Sequence, residues 1–533
     1  MSGPSWTRSS GRAAVVGRRR VRPSGDRATA AVVTLGCPKN LVDSEVMAAL
    51  LGSCGHVLTD DPKDADVVVI NTCAFIGPAR EEAWAEIGEA AELRRSGRCR
   101  ALVVAGCLAQ GFGDEVSRRF PEVDALVGTG EVDKIIEAVE RVTTSGPAQG
   151  DVIPGPGIAH GKSGGRAADA PRAIPGYVPV GPAPRLLGTP LHYAYLKIAE
   201  GCDHRCAFCL IPSLRGPYRS RPLKDLIAEA QGLEGLGVRE LVLVAQDTTA
   251  YGRDLEGRPM LADLVRGLLR ETGLPWLRVL YGHPAGLTEE FVDLLGEQGS
   301  DLPDGAGRLC RYLDLPMQHA SDRILKNMRR PETRESLTAL VADLRRRVPG
   351  LTLRSSFIVG LPGETDKDFN ELMGFIREVK LERAGFFTYS REATTAAAAM
   401  PGQVDEGVKE ERLTRVLELQ RRISLERGRM LVGSTLRVLL DEVERGWGGG
   451  SSGRVRARCG GARLVARGER DAPEIDGRVL VRDLREIAGA RPFAEARRGQ
   501  FMKVKVVGAK AYDLLAEPLG DEARLGPGSD GSA

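Results

Sequence analysis

Three β-branched apolar runs each close on a cysteine: VVTLGC at Cys37, VVVINTC at Cys73 and LVVAGC at Cys107. Such runs read as strands buried on both faces, the habit of a parallel sheet. In open parallel sheets ligands bind outside the carboxyl ends of the strands. Neighbouring strands would therefore bring Cys37, Cys73 and Cys107 together despite their separation in sequence. A second set of three, Cys202, Cys206 and Cys209, is packed into one loop, EGCDHRCAFCLIP. Six of the ten cysteines thus demand two different frames: three strand ends side by side, and a single loop.

The chain of 533 residues exceeds one compact domain. Residues 1–30 are Arg-rich with a single acid, Asp26, and read as a basic disordered extension. Residues 31–142 alternate strand and helix and are expected to form a parallel α/β domain. Residues 143–188, rich in Pro, Gly and Ala, read as a linker. Residues 189–431 resume the alternation, with strand candidates YAYLKIA, ELVLVAQ, LRVLYG, RYLDLPM, LRSSFIVG and AGFFTYS. Six βα units suit a partial or full β/α barrel, with its active site at the carboxyl ends of the strands. Residues 432–518 carry STLRVLLDEVE, GRVRARCGG, GRVLVRDL and MKVKVVGA, short strands between Gly-rich turns that suit a small all-β barrel. Residues 519–533 read as a disordered tail. The fold class is α/β with an added β-barrel.

No apolar run approaches the roughly 20 residues needed to span a bilayer. With no secretory signal either, a soluble cytoplasmic protein without a membrane partner is expected. In that reducing setting cysteines are metal ligands or catalytic groups more often than disulfides. The net charge of +3 names no partner. Cys202, Cys206 and Cys209, at three- and two-residue gaps, can hold a four-iron cluster and leave one iron open. A zinc loop is the alternative, but zinc wants a fourth ligand, and His204 is the only local candidate. Any one of Cys37, Cys73 and Cys107 alone would read as a buried apolar residue. Their shared phrase, with small neighbours, points to a second cluster. Cys54, Cys99, Cys310 and Cys459 have no such setting and read as structural or incidental.

The phrases LGCPKNLVDSE, NTCAFI, AGCLAQ, EGCDHRCAFCLIPSLRG, LDLPMQHASDRILKNMRR and SSFIVGLPGET together resemble the radical S-adenosylmethionine (AdoMet) methylthiotransferases. The resemblance runs from residue 31 to about 518, the linker excepted. It implies an N-terminal methylthiotransferase domain, a radical AdoMet domain and a TRAM-like barrel. It also implies two 4Fe-4S clusters: an auxiliary one on Cys37, Cys73 and Cys107, and a radical-generating one on Cys202, Cys206 and Cys209. Phe208 beside the last cysteine, and Gly360 and Gly363 in IVGLPGET, would surround AdoMet. For the glycines, a turn before a helix is the alternative. Two AdoMet molecules per turnover are implied, one as methyl donor and one as radical source. The radical would abstract hydrogen from carbon, a bond not acidic enough for a general base, so no catalytic residue beyond the cluster ligands is expected.

Within that family CPKNLVDSE, IPSLRGPYRSRP, AQDTTAYG, PMQHAS, DAPEIDG and AYDLLAEP resemble the RimO type. The implied reaction is methylthiolation of the β-carbon of an aspartate in the twelfth small-subunit ribosomal protein, possible on the ribosome itself. The competing substrate is an adenosine in tRNA. The barrel region holds more Lys and Arg than Asp and Glu, which suits RNA, unless the acids of DEVE and ERDAPEID form one face for a basic protein. A non-catalytic iron–sulfur RNA-binding or redox-sensing protein is the alternative from another class. The stretch SREATTAAAAMP after Tyr389 departs from the family's usual Ser-Pro-x-Glu-Gly phrase. The residues identify neither the electron donor nor the sulfur source.

Overall fold

The computed structural model describes residues 28–145, 153–154, 184–297, 307–444, 463–482 and 497–519. Residues 1–27 of the expected basic extension, the strand GRVRARCGG, most of the linker and most of the tail lie outside these residues, while Thr29 and Ala30 of that extension belong to the first strand.

The first unit is a parallel sheet of β1 (Thr29–Thr34), β2 (Val57–Leu58), β3 (Val67–Thr72), β4 (Ala101–Gly106), β5 (Ala125–Val127) and β6 (Ile153–Pro154). Their order is β2-β1-β3-β4-β5-β6. Alternate residues of β1, β3 and β4 face opposite sides. Val68, Ile70, Leu102 and Val104 pack under α2 (Gly77–Arg95) and α3 (Cys107–Arg119). Val67, Val69, Ala101 and Val103 pack under α1 (Pro38–Ser53) and α4 (Ile135–Ser145). Both faces are covered, which is why the strands read as continuous apolar runs. β2, β5 and β6 carry too few residues to stand out from their surroundings in the sequence.

The second unit holds β7 (Tyr193–Lys197), β8 (Ala199–Glu200), β9 (Arg219–Ser220), β10 (Glu240–Val244), β11 (Trp276–Val279), β12 (Leu309–Asp314), β13 (Thr352–Val359) and β14 (Arg383–Thr388). Six of these form an open parallel sheet, β7-β10-β11-β12-β13-β14, while β8 and β9 pair antiparallel. This is the partial β/α barrel. Its outer face packs under helices through Leu241, Leu243, Leu277, Leu313 and Leu353. Its inner face, with Tyr193, Tyr195, Val242, Val244, Cys310 and Tyr312, meets Leu41 and Val42 of α1 and Leu439, Ala472 and Phe501 of the third unit.

That third unit is a closed five-stranded barrel, β15 (Thr435–Glu444), β16 (Arg463–Gly468), β17 (Val479–Val481), β18 (Phe501–Ala509) and β19 (Leu514–Pro518). β16 and β19 were not among the expected strands. The helix Glu406–Arg429 leads into it. The acids expected to present one face to a basic protein do something else. Asp441 pairs with His192 at 2.8 Å and Asp471 with Arg383 at 2.6 Å. Tyr193 donates to Glu474 at 2.5 Å and Tyr312 to Asp476 at 2.6 Å. The segment 469–476 therefore docks on the open barrel, because that inner face carries buried cations and phenols that need acceptors. Among the described residues no helix is long and apolar enough to cross a membrane.

Arg467 is held between Glu240 at 2.6 Å and Asp441 at 2.8 Å, and Glu240 is fully buried. Arg467→Met removes one partner of a buried pair, a change that costs about 3–5 kcal/mol. A clear fall in apparent Tm, with earlier proteolytic release of the small barrel, is expected. Unchanged melting and proteolysis would contradict this docking.

Candidate functional site

The three strand ends of the first sheet converge as the phrases required. Cys37 is the N-cap of α1, Cys73 follows β3 and Cys107 opens α3. Side-chain amides knit these ends together. Asn40 donates to the carbonyls of Leu35 at 3.0 Å and Thr72 at 2.9 Å. Asn71 donates to the Asn40 carbonyl at 2.8 Å, and Thr72 to the Ala105 carbonyl at 2.6 Å. Gly36 has φ +91°, and a Cβ there would lie 2.5 Å from Cys73 Cβ. Gly106 has φ +87°, and a Cβ would meet the Thr72 carbonyl oxygen at 2.7 Å. Both positions need glycine, for the left-handed backbone and for the close approach of the neighbouring cysteine strand.

The electrostatics divide the set. Burial opposes ionisation of Cys37, but the charges of Lys39 and Arg215 and nearby backbone N–H groups prevail, and its pKa falls. Burial, with the neighbouring Cys37 and Cys107, pushes the Cys73 thiol up to about 12. Burial also raises Cys107, against the opposing charge of Arg215. The donor set is sulfur-rich, enclosed and flanked by cations, which fits an anionic iron–sulfur group; loading it would release the thiol protons.

The compact loop follows β8. Burial raises Cys202 and Cys209 to about 12. Cys206 is raised by burial while Arg330 acts in the opposite direction. The N–H of Ile211 donates to Cys209 Sγ at 3.4 Å. Behind the loop, His204 Nε2 lies 2.7 Å from Asp247 and its ring stacks on His283 at 4.1 Å. Arg330 contacts His283 at 2.5 Å. His204 is thus engaged in a polar cluster. Among the described residues no group of three or more His, Cys, Asp or Glu is arranged to hold a single metal ion. A four-iron cube takes each thiolate on a different iron, so its ligands stand farther apart than those of one ion.

Phe208 packs against the apolar group of Ala207, Ile324, Met328, Leu361, Tyr389 and Ala397. The space beside Gly360 is filled by the Lys409 stem, whereas a Cβ placed at Gly363 would find its nearest neighbour 3.8 Å away. The divergent SREATTAAAAMP stretch has a structural use. The N–H of Gly77 donates to Glu392 at 2.9 Å, Arg80 pairs with Glu392, and the N–H of Ala397 donates to the Ala207 carbonyl at 2.8 Å. It links α2 to the back of the compact cysteine loop.

The residue that sequence reading missed is Arg215, six positions after Cys209. It is 1% exposed. It bonds Glu200 at 2.8 Å and Asn40, and stands close enough to Cys107 and Cys37 for their charges to raise its own pKa, despite the opposing effect of burial. Beside it Lys197 pairs with Asp43 and, at 2.9 Å, with Glu200. This buried charge network flanks the compact loop in sequence and reaches Cys37 and Cys107 of the dispersed set. An Arg in IPSLRG carries no local signal of this, because Asn40, Cys37 and Cys107 lie in another unit.

Residues 29–128 match the family described as "Uncharacterized protein family UPF0004", residues 196–376 the radical SAM superfamily, and residues 432–519 the TRAM domain. The ribosomal protein uS12 methylthiotransferase RimO of Pelotomaculum thermopropionicum is 44% identical over 92% of this chain and 98% of its own length. That of Desulforudis audaxviator is 44% identical over 92% and 96%. The chain belongs to the RimO methylthiotransferase family. It is a transferase of the radical AdoMet superfamily, with iron–sulfur and AdoMet chemistry, and the non-catalytic alternative falls away. Among solved structures, a radical AdoMet methyltransferase of Kitasatospora setae, TsrM, is 17% identical over 70% of this chain and 74% of that chain, with a TM-score of 0.47.

Arg215→Met would leave Glu200 and Asn40 short of a partner inside the interface. Destabilisation of about 3–5 kcal/mol is expected for a broken buried pair, read as a lower denaturant midpoint. A midpoint equal to that of the unsubstituted protein would refute the bridging role.

Proposed function

We propose that this enzyme adds a methylthio group to the β-carbon of an aspartate in ribosomal protein uS12. In this reading two 4Fe-4S clusters are held, one by Cys37, Cys73 and Cys107, the other by Cys202, Cys206 and Cys209, with two AdoMet molecules used per turnover. The observation that carries it is a contact between the two segments: Arg215, which follows the compact loop, reaches Cys107 and Asn40 of the dispersed set. Two sulfur-rich centres facing one interface suit a reaction that needs a radical and a sulfur group at the same carbon. When bound, the clusters and AdoMet supply both.

The chain's own residues hold and shield. Arg330 beside Cys206, and Lys39 and Arg215 beside Cys37, offset thiolate charge. Partial burial of both sets limits the access of water to reactive species. Phe208 and Gly363 line the AdoMet surroundings, with Gly360 holding the turn against Lys409. Modification of a ribosomal protein would set the work in the cytoplasm, on free uS12 or on the assembled ribosome.

One observation favours the tRNA reading. Asp441, Asp471 and Asp476 are bonded to the open barrel, while Arg478, Arg482, Arg497, Arg498, Lys505 and Lys510 are exposed. Such a basic surface suits an RNA backbone, either tRNA or the ribosomal RNA around uS12.

Anaerobically reconstituted protein is expected to bind about eight irons, four per cube; a stable count near four would leave one cysteine set without a cluster. Replacing Cys202, Cys206 and Cys209 with Ala should abolish formation of 5′-deoxyadenosine from AdoMet under dithionite. Mass spectrometry of reaction products decides the substrate. The gain of one methylthio group on a uS12 aspartate, and none on tRNA adenosine, is expected, and the reverse pattern would assign the tRNA reading.

A further inference from the structure

Lys39 follows Cys37 by two residues, yet its side chain leaves the first sheet and reaches the open barrel. Its Nζ lies 3.5 Å from the Ala245 carbonyl, just past β10, and 3.8 Å from the centre of the Tyr281 ring, just past β11. The residue is 8% exposed. A buried ammonium ordinarily has a carboxylate partner, because desolvating an unpaired charge is costly. Here the neighbouring carboxylates are engaged elsewhere. Glu200 takes Lys197 and Arg215. Asp314 takes Arg354 at 2.7 Å and the N–H of Tyr281 at 3.2 Å. Lys39 is left with the Cys37 thiol two residues back, one long carbonyl contact and a ring face, and with no carboxylate of its own, between the dispersed cysteines and the carboxyl ends of the barrel strands.

We infer that Lys39 receives the side-chain carboxylate of the substrate aspartate, holding its β-carbon between the two cysteine sets. The inference rests on the uS12 reading above. An aspartate supplies the carboxylate partner that Lys39 lacks. Its β-carbon is bonded directly to that carboxylate, so a cation anchoring the carboxylate also fixes the carbon that reacts. An asparagine at the same position would offer no charge, so Lys39 would also set the preference for aspartate. Tyr281, with φ +60°, holds its ring beneath the ammonium and limits where the carboxylate can sit.

The test uses reconstituted holoenzyme with AdoMet and two forms of uS12, with Asp or with Asn at the position that mass spectrometry finds modified. Unsubstituted enzyme should bind the Asp form about ten- to a hundredfold more tightly, the range of a charge-assisted hydrogen bond. Lys39→Gln should bind the two forms alike when compared per reconstituted cluster, and Lys39→Arg should keep the preference. A Lys39→Gln enzyme that still prefers the Asp form overturns the inference alone. Loss of iron in that variant, with the preference intact in the remaining holoprotein, overturns it too and assigns Lys39 to the thiols. Unsubstituted enzyme that cleaves AdoMet but never modifies uS12 overturns the substrate reading, and this inference with it.

Discussion

The buried charge network around Arg215 is the interaction on which the arrangement of the two cysteine sets depends. Arg215, Lys197, Asp43 and Glu200 are almost wholly removed from water, where each charge is tolerable only with its partners in place. Asp43 belongs to α1, beside Cys37; Glu200 and Arg215 flank the compact loop. A second set nearby repeats the logic. Arg185 bonds Glu45 of α1 at 3.0 Å and Glu229 at 2.8 Å, and Glu229 also takes Arg221 at 2.6 Å. Sliding the first unit along the second would strand several charges at once. The interface is therefore held in a single register, and with it the distance between the two sulfur-rich centres.

A similar device fixes the small barrel at the other end of the same sheet. Its inward acids meet His192, Arg383, Tyr193 and Tyr312, and Trp276 packs edge-on to Phe501 at 4.9 Å. The inner face of the six-stranded sheet is thus filled from two sides, by α1 and by the barrel. An open parallel sheet would otherwise leave that face exposed. Arg478, Arg482, Lys505 and Lys510 of the barrel are exposed to solvent, while Arg467 and the acids Asp441, Asp471 and Asp476 serve the fold.

Much of this was legible in the residues. β1, β3, β4, β7, β10 and β11 stood out because both of their faces are buried and the runs are continuous. The six cysteines stood out because their phrases repeat or crowd. Short strands such as β5 and β19 gave no periodic signal. β16, RLVARG, carries charges that its partners neutralise only in the folded state. The acids of ERDAPEID suggested an outward face, since composition counts charge without direction.

The sequence by itself determined which sulfurs belong together, where the three units begin to differ and which family the chain resembles. These follow from local pattern: strand period, ligand spacing and dense motif text. Only the tertiary structure decided what Lys39, Arg215 and Glu392 do, and which way the barrel's acids point. Their partners lie in other units, at sequence separations of up to 315 residues. A buried charge takes its role from whatever the fold sets beside it, and the residues adjacent in the chain carry no record of that neighbour.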